Sequence, residues 1–122
     1  MEDLTKARGE CLKAILELSS KLGGVRQINI ADTMGVKPPT VSKYLDYLTG
    51  AGYIERDPNG RILLTEKGRS EADHITEKQN VLTAALRKLG VDEATSADEA
   101  AKIAHDISED TFSRIKALFE RI

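Results

Sequence analysis

Asn59-Gly60 sits between two short runs of strand-forming residues, Tyr53-Ile54-Glu55-Arg56 and Arg61-Ile62-Leu63-Leu64. An Asn-Gly pair supplies the positive φ angles that a tight hairpin turn needs, so the two runs predict a β-hairpin with Asp57-Pro58-Asn59-Gly60 at its tip. Elsewhere the apolar residues recur at helical spacing. A lone two-stranded ribbon cannot bury a core of its own, so it must pack on the helices around it. The chain is therefore restricted to a mostly α fold with a small β-hairpin.

Leu4, Ala7, Cys11, Leu12, Ile15, Leu16, Leu18 and Leu22 form one stripe of a helix that Gly23-Gly24 stops. Cys11 lies on that stripe and reads as a small buried hydrophobe. Ile28, Ile30, Ala31 and Met34 give a short helix ended by Gly35. Pro38-Pro39 can open a third helix over 38–49, because the first N–H groups of a helix have no partner. Val41, Tyr44, Leu45 and Leu48 make its apolar face; Thr40, Ser42, Lys43, Asp46 and Tyr47 make the other.

After the hairpin, Thr65 is placed to cap a further helix with Gly68 in its first turn. A longer helix is expected from about Ala72 to Leu89, with Ile75, Leu82, Leu86 and Leu89 on its face and Gly90 as its cap. Thr95-Ser96 precede a short helix over 98–106. Ser108, followed by Glu109-Asp110, starts a last helix, since acidic groups favour its positive end. Phe112, Ile115, Leu118, Phe119 and Ile122 lie on one face of it.

The order helix, helix, turn, helix, hairpin, helix is that of a winged helix-turn-helix. It predicts two parts: a winged helix-turn-helix DNA-binding domain over 1–71 and a helical dimerisation domain over 72–122. A helix fits the major groove of double-stranded DNA, where short polar side chains reach base edges and cations meet phosphates. Lys37, Pro39, Thr40, Ser42 and Lys43 occupy the start and outer side of the third helix, and Arg56 and Arg61 flank the hairpin tip. These seven are the expected DNA contacts. A dimer doubles the contact area, and Phe112, Ile115, Leu118 and Phe119 are the expected homodimer contacts.

Charge agrees weakly with this division. The chain has 122 residues and a net charge of −2. Residues 1–70 hold eleven Lys/Arg against nine Asp/Glu, and residues 71–122 hold seven against eleven, so the positive half carries the helix-turn-helix. The alternative is a winged-helix module that binds another protein through its acidic half and no DNA. No Gly-rich phosphate loop and no nucleophile–base pair is evident, and the two histidines are far apart in sequence, so an enzyme is not expected. The start Met1-Glu2-Asp3-Leu4 lacks the basic and apolar regions of a secretory signal, and no apolar run is long enough for a membrane span, so a cytoplasmic protein without a membrane partner is expected.

Several local motifs stand in order: Ile30-Ala31-Asp32 leading to Gly35-Val36, Pro39-Thr40-Val41-Ser42-Lys43, Leu64-Thr65-Glu66-Lys67-Gly68, and Leu86 through Gly90-Val91-Asp92-Glu93, with a fixed spacing on to His105. In these the chain resembles the diphtheria-toxin-repressor family of metal-dependent transcriptional regulators, particularly its short manganese-responsive branch. The resemblance implies a homodimeric repressor that binds palindromic operators when loaded with manganese or ferrous iron. It also implies metal ligands on the first helix, on the long helix after the wing and on the short helix that follows. At those positions this chain carries Glu10 and His105 as ligands, whereas Lys13, Gln79, Ala101 and Ala104 depart from the family pattern. Lys13 would then pair with Glu10 or another carboxylate, a fixed cation in place of the metal.

Overall fold

The computed structural model describes residues 4–121; Ile122, expected on the face of the last helix, lies outside them. The chain divides into two compact units, with the boundary between Asp73 and His74.

In the first unit, α1 (Lys6–Lys21), α2 (Gln27–Met34) and α3 (Pro38–Gly50) precede β1 (Ile54–Arg56) and β2 (Ile62–Leu64). Thr5 caps α1 by accepting from the Arg8 N–H at 3.2 Å. Gly35 ends α2 at φ 69°, a left-handed value that glycine adopts without a steric cost. Pro38 and Pro39 fill the first turn of α3. Leu12, Ile15, Ile30, Val41, Leu45 and Leu48 bring the three helices onto one core and are essentially inaccessible. Burial of each such side chain is worth about 1.5–3 kcal/mol. Cys11 belongs to the same core, and burial pushes its thiol up to about 12.

β1 and β2 pair antiparallel, Ile54 opposite Leu64 and Arg56 opposite Ile62. Ile54 and Ile62 face the core, and the Ile62 N–H also donates to the Val25 carbonyl at 2.8 Å, which fixes the hairpin to the segment between α1 and α2. The tip differs from the expected turn. Only Gly60 has a positive φ (80°), not Asn59. Pro58 supplies the fixed φ suited to the second position of an ordinary turn, and Gly60 then takes the left-handed position that closes it. The Asp57 carboxylate accepts from the N–H groups of both Asn59 and Arg61, each at 2.9 Å.

α4 runs unbroken from Glu66 to Lys88, where two separate helices were expected. Nothing between them breaks a helix: Thr65 accepts from the Gly68 N–H at 3.0 Å and starts the helix that continues. Gly68 lies so close to the Tyr53 carbonyl that no side chain fits. Gly90, two residues past the end of α4, has φ 98° and turns the chain out of the helix.

The second unit combines the later part of α4 with α5 (Glu93–Asp106) and α6 (Glu109–Glu120). α5 begins five residues before the expected start at 98, because Asp92 caps it through the Thr95 N–H and Ser96 is buried with its hydroxyl on the Val91 carbonyl. Leu82, Ala100 and Ala104 form the core, with Leu86 and Ile115 packed against them. Ser108 caps α6 as expected, accepting from the Thr111 N–H at 3.1 Å.

Candidate nucleic-acid interface

In the first turn of α3, Pro38 and Pro39 have no N–H and the Thr40 N–H donates to the Lys37 carbonyl at 3.0 Å, so what draws phosphate to this end is the helix dipole and the side chains around it. Lys37, Pro39 and Lys43 are exposed around it, and Thr40 and Ser42 are half-buried. Gln27, the first residue of α2, reaches this surface: its Nε2 donates to the Pro38 carbonyl at 2.9 Å and to the Ser42 hydroxyl at 2.5 Å. Tyr47, expected on the same outer side, lies instead under the Arg8 guanidinium at 3.7 Å and packs on the core. Asp46 is exposed.

Arg56 and Arg61 are exposed on the hairpin. The Arg61 side chain lies against Gly24, where a side chain would collide with it. Arg26 donates through Nη1 to the Asn59 carbonyl at 3.1 Å and so braces the hairpin tip. Among the described residues, no carboxylate pairs with Lys37, Lys43, Arg56 or Arg61. Other cations are engaged in folding: Lys67 donates to the Ala51 carbonyl at 2.6 Å and sits over the Tyr53 ring. Sequence reading singled out neither Gln27 nor Arg26, because the partners that give each its position lie far along the chain.

Among the described residues, no group of three His, Cys, Asp or Glu stands together to hold an ion. Glu10 lines an open groove of about 600 Å³ in the first unit, together with Lys6, Lys13, Glu17, Met34 and Tyr44. Lys13 pairs with Glu17 at 3.9 Å, as the expectation of a carboxylate partner requires. His105 is exposed in the second unit. Cys11 is held as a thiol, Asp98 pairs with Lys102 at 3.1 Å, and His74 is taken up by Glu109 at 2.8 Å. A lysine where a carboxylate is needed opposes a divalent cation, so this donor set does not fit a tightly held metal.

On α6, Phe112 is packed inside the second unit, edge-on to the His74 ring with centroids 6.3 Å apart. Ile115 and Phe119 are half-buried, and Leu118 is 62% exposed. Leu89, just after α4, is 80% exposed. Lys78 is buried and donates to Glu109 at 3.2 Å.

Comparison with known proteins bears on both units. Residues 3–61 match the model of the iron dependent repressor N-terminal DNA binding domain, and residues 65–122 that of the iron dependent repressor metal binding and dimerisation domain. An uncharacterized HTH-type transcriptional regulator of Methanocaldococcus jannaschii is 33% identical over 98 residues, covering 80% of this chain and 78% of that protein. The transcriptional regulator MntR of Escherichia coli is 29% identical over 110 residues, covering 90% of this chain and 71% of its own. Among solved structures, the metal-dependent transcriptional regulator MtsR superposes with a TM-score of 0.86 at 23% identity, covering 93% of this chain and 53% of MtsR. The manganese regulator SloR gives 0.85 at 25%, covering 98% and 55%. The chain thus spans about half the length of these solved regulators. The C-terminal model and the manganese regulators support a divalent metal such as manganese or iron as the cofactor of this family, whose ligand positions this chain fills only in part. No helix among the described residues is long and apolar enough to cross a membrane. With its DNA-binding and dimerisation models matched in order, and a relative that shares a third of the aligned residues, the chain belongs to the iron-dependent, diphtheria-toxin-repressor family of metal-dependent transcriptional regulators.

Proposed function

We propose that this chain is a cytoplasmic, homodimeric repressor that reads a specific DNA sequence by inserting α3 in the major groove, and that it acts by binding and not by catalysis. The supporting observation is the set of four exposed cations, Lys37, Lys43, Arg56 and Arg61, around the α3 N-terminus and the wing, which have no carboxylate partner among the described residues. Phosphate contacts of this kind set register on the duplex, while Thr40, Ser42 and the ring of Pro39 lie where base edges would be read. Ile115, Leu118 and Phe119, with Leu89 beside them in kind, supply the apolar surface for a second copy, and Phe112 supports α6 from within. The family's effector is manganese or iron, and Glu10 and His105 are the two donors that this chain keeps at the family's ligand positions.

Selection of binding sites from random duplexes tests this, followed by anisotropy titration of the recovered sequence. The expected result is a palindromic site bound by a dimer, with affinity at least about a thousandfold above random duplex and falling steeply with salt. Recovery of no sequence, with salt-insensitive binding, overturns it.

A further inference from the structure

Gln27 Nε2 lies within hydrogen-bond distance of two oxygens, the Pro38 carbonyl at 2.9 Å and Ser42 Oγ at 2.5 Å. A carbonyl only accepts, so the amide must present its nitrogen, and not its oxygen, to both. Its two N–H groups are then both spent, and Ser42 Oγ is an acceptor in this pair. The hydroxyl proton has to go elsewhere. Serines and threonines in helices commonly turn it back to the carbonyl four residues before, as Ser19 does to Ile15 at 2.7 Å and Thr49 to Leu45 at 2.8 Å. For Ser42 that carbonyl is Pro38, whose lone pairs serve Gln27 and the first turn of α3. Nor does the proton turn to the carbonyl three residues before, as that of Ser20 does to Glu17 at 2.8 Å: no described residue accepts from Ser42, which leaves the proton to point away from the chain, on the outer side of α3.

We propose that Gln27 is a positioning residue that holds Ser42 as a hydrogen-bond donor toward DNA. Ser42 then fits an acceptor, either a base-edge acceptor such as a purine N7, guanine O6 or thymine O4, or a phosphate oxygen, in preference to the amino groups of cytosine and adenine. This rests on the docking of α3 proposed above. It adds a residue of α2 to the recognition surface and gives the polarity of one contact.

The test is a double-mutant cycle on the selected duplex, read by anisotropy, with Ser42→Ala, Gln27→Ala and the pair. Gln27→Met, of similar length and without a donor, is read beside Gln27→Ala, and melting curves verify the fold of each. Each single change is expected to weaken binding about threefold to tenfold. The double variant is expected to lose no more than about twofold beyond either single one, because the two act as a unit. Duplexes carrying 7-deazapurines or methylphosphonates at single positions then separate the sources: the one substitution that weakens the unaltered protein but not Ser42→Ala identifies a base or a phosphate as the acceptor. If the losses from Gln27 and Ser42 multiply, Gln27 acts on its own and the inference is overturned. If Ser42→Ala binds normally while Lys43→Ala is impaired, the inference falls and the docking stands; if neither variant is impaired, the docking itself is wrong.

Discussion

Arg26 holds the carbonyl of Asn59 at 3.1 Å across 33 residues of sequence, so the entry to α2 and the tip of the wing are one structure. The bond is exposed, and its loss costs stability only about 0.5–1 kcal/mol. Its effect is local order. Arg26→Ala is expected to speed hydrogen exchange at the Gly60 and Arg61 amides while the core amides of α1 and α3 keep their protection. Unchanged exchange at the tip would show that the hairpin stands without the brace.

Lys43 and Arg61 represent the two parts of the proposed phosphate footprint. Each single alanine variant is expected to lower the slope of log affinity against log salt by about 1, with similar losses on specific and random duplex. Titrations at several salt concentrations check this. A variant that weakens binding without changing the slope would place that residue off the backbone.

Gly68 is set against the Tyr53 carbonyl with no room for a Cβ. The obstacle is backbone, which cannot swing aside as a side chain does. Gly68→Ala is expected to destabilise the first unit by at least about 2 kcal/mol, measured by denaturant titration. The gain in helix propensity of alanine over glycine, about 1 kcal/mol, is too small to offset that.

Glu109 accepts from His74 at 2.8 Å and from Lys78 at 3.2 Å, and these bonds hold its carboxyl below the ordinary range, the His74 bond most of all. A carboxyl whose pKa is depressed by folding contributes stability above its ordinary pKa, and that contribution is lost as pH falls through the lowered value. The window therefore lies below about pH 4.5. Because the Glu109 side chain is 65% exposed, the contribution is at most about 0.5 kcal/mol. Melting curves from pH 3 to 7 should lose part of their acid sensitivity in Glu109→Gln, and an identical profile would deny the carboxylate this role.

Lys13 tests the departure from the metal pattern. With lysine in place, 100 µM manganese is expected to raise the melting temperature by less than about 1 °C. Lys13→Glu adds a third carboxylate to the groove that Glu10 and Glu17 line and should increase that shift. Calorimetry provides the independent check, since tight, stoichiometric manganese binding by the unaltered chain would contradict this reading of its donors.

Much of this architecture is written locally. The Pro38-Pro39 pair, the Gly35 stop, Ser108 and the hairpin runs each carry their own backbone preference, and each lies where local chemistry places it. What could not be read locally depends on partners distant in sequence or on competition between caps. α5 starts early because Asp92 offers a better cap than Thr95. Asn59 keeps a negative φ because Pro58 has already chosen the turn type. Gln27 belongs to the α3 surface only through bonds reaching 11 and 15 residues ahead, which no periodicity reveals. The cations were visible in sequence; which of them were already spent on folding, as Lys67 is, was not.

Asp57 ties down two amides at the tip of the wing with one carboxylate oxygen, so the loop keeps its shape without help from the outward side chain of Asn59. A frame that is self-supporting tolerates exchange of what it displays. Among descendants of this chain, position 59 is therefore a place where a new operator preference can be acquired at little cost to folding, provided Asp57, Pro58 and Gly60 remain.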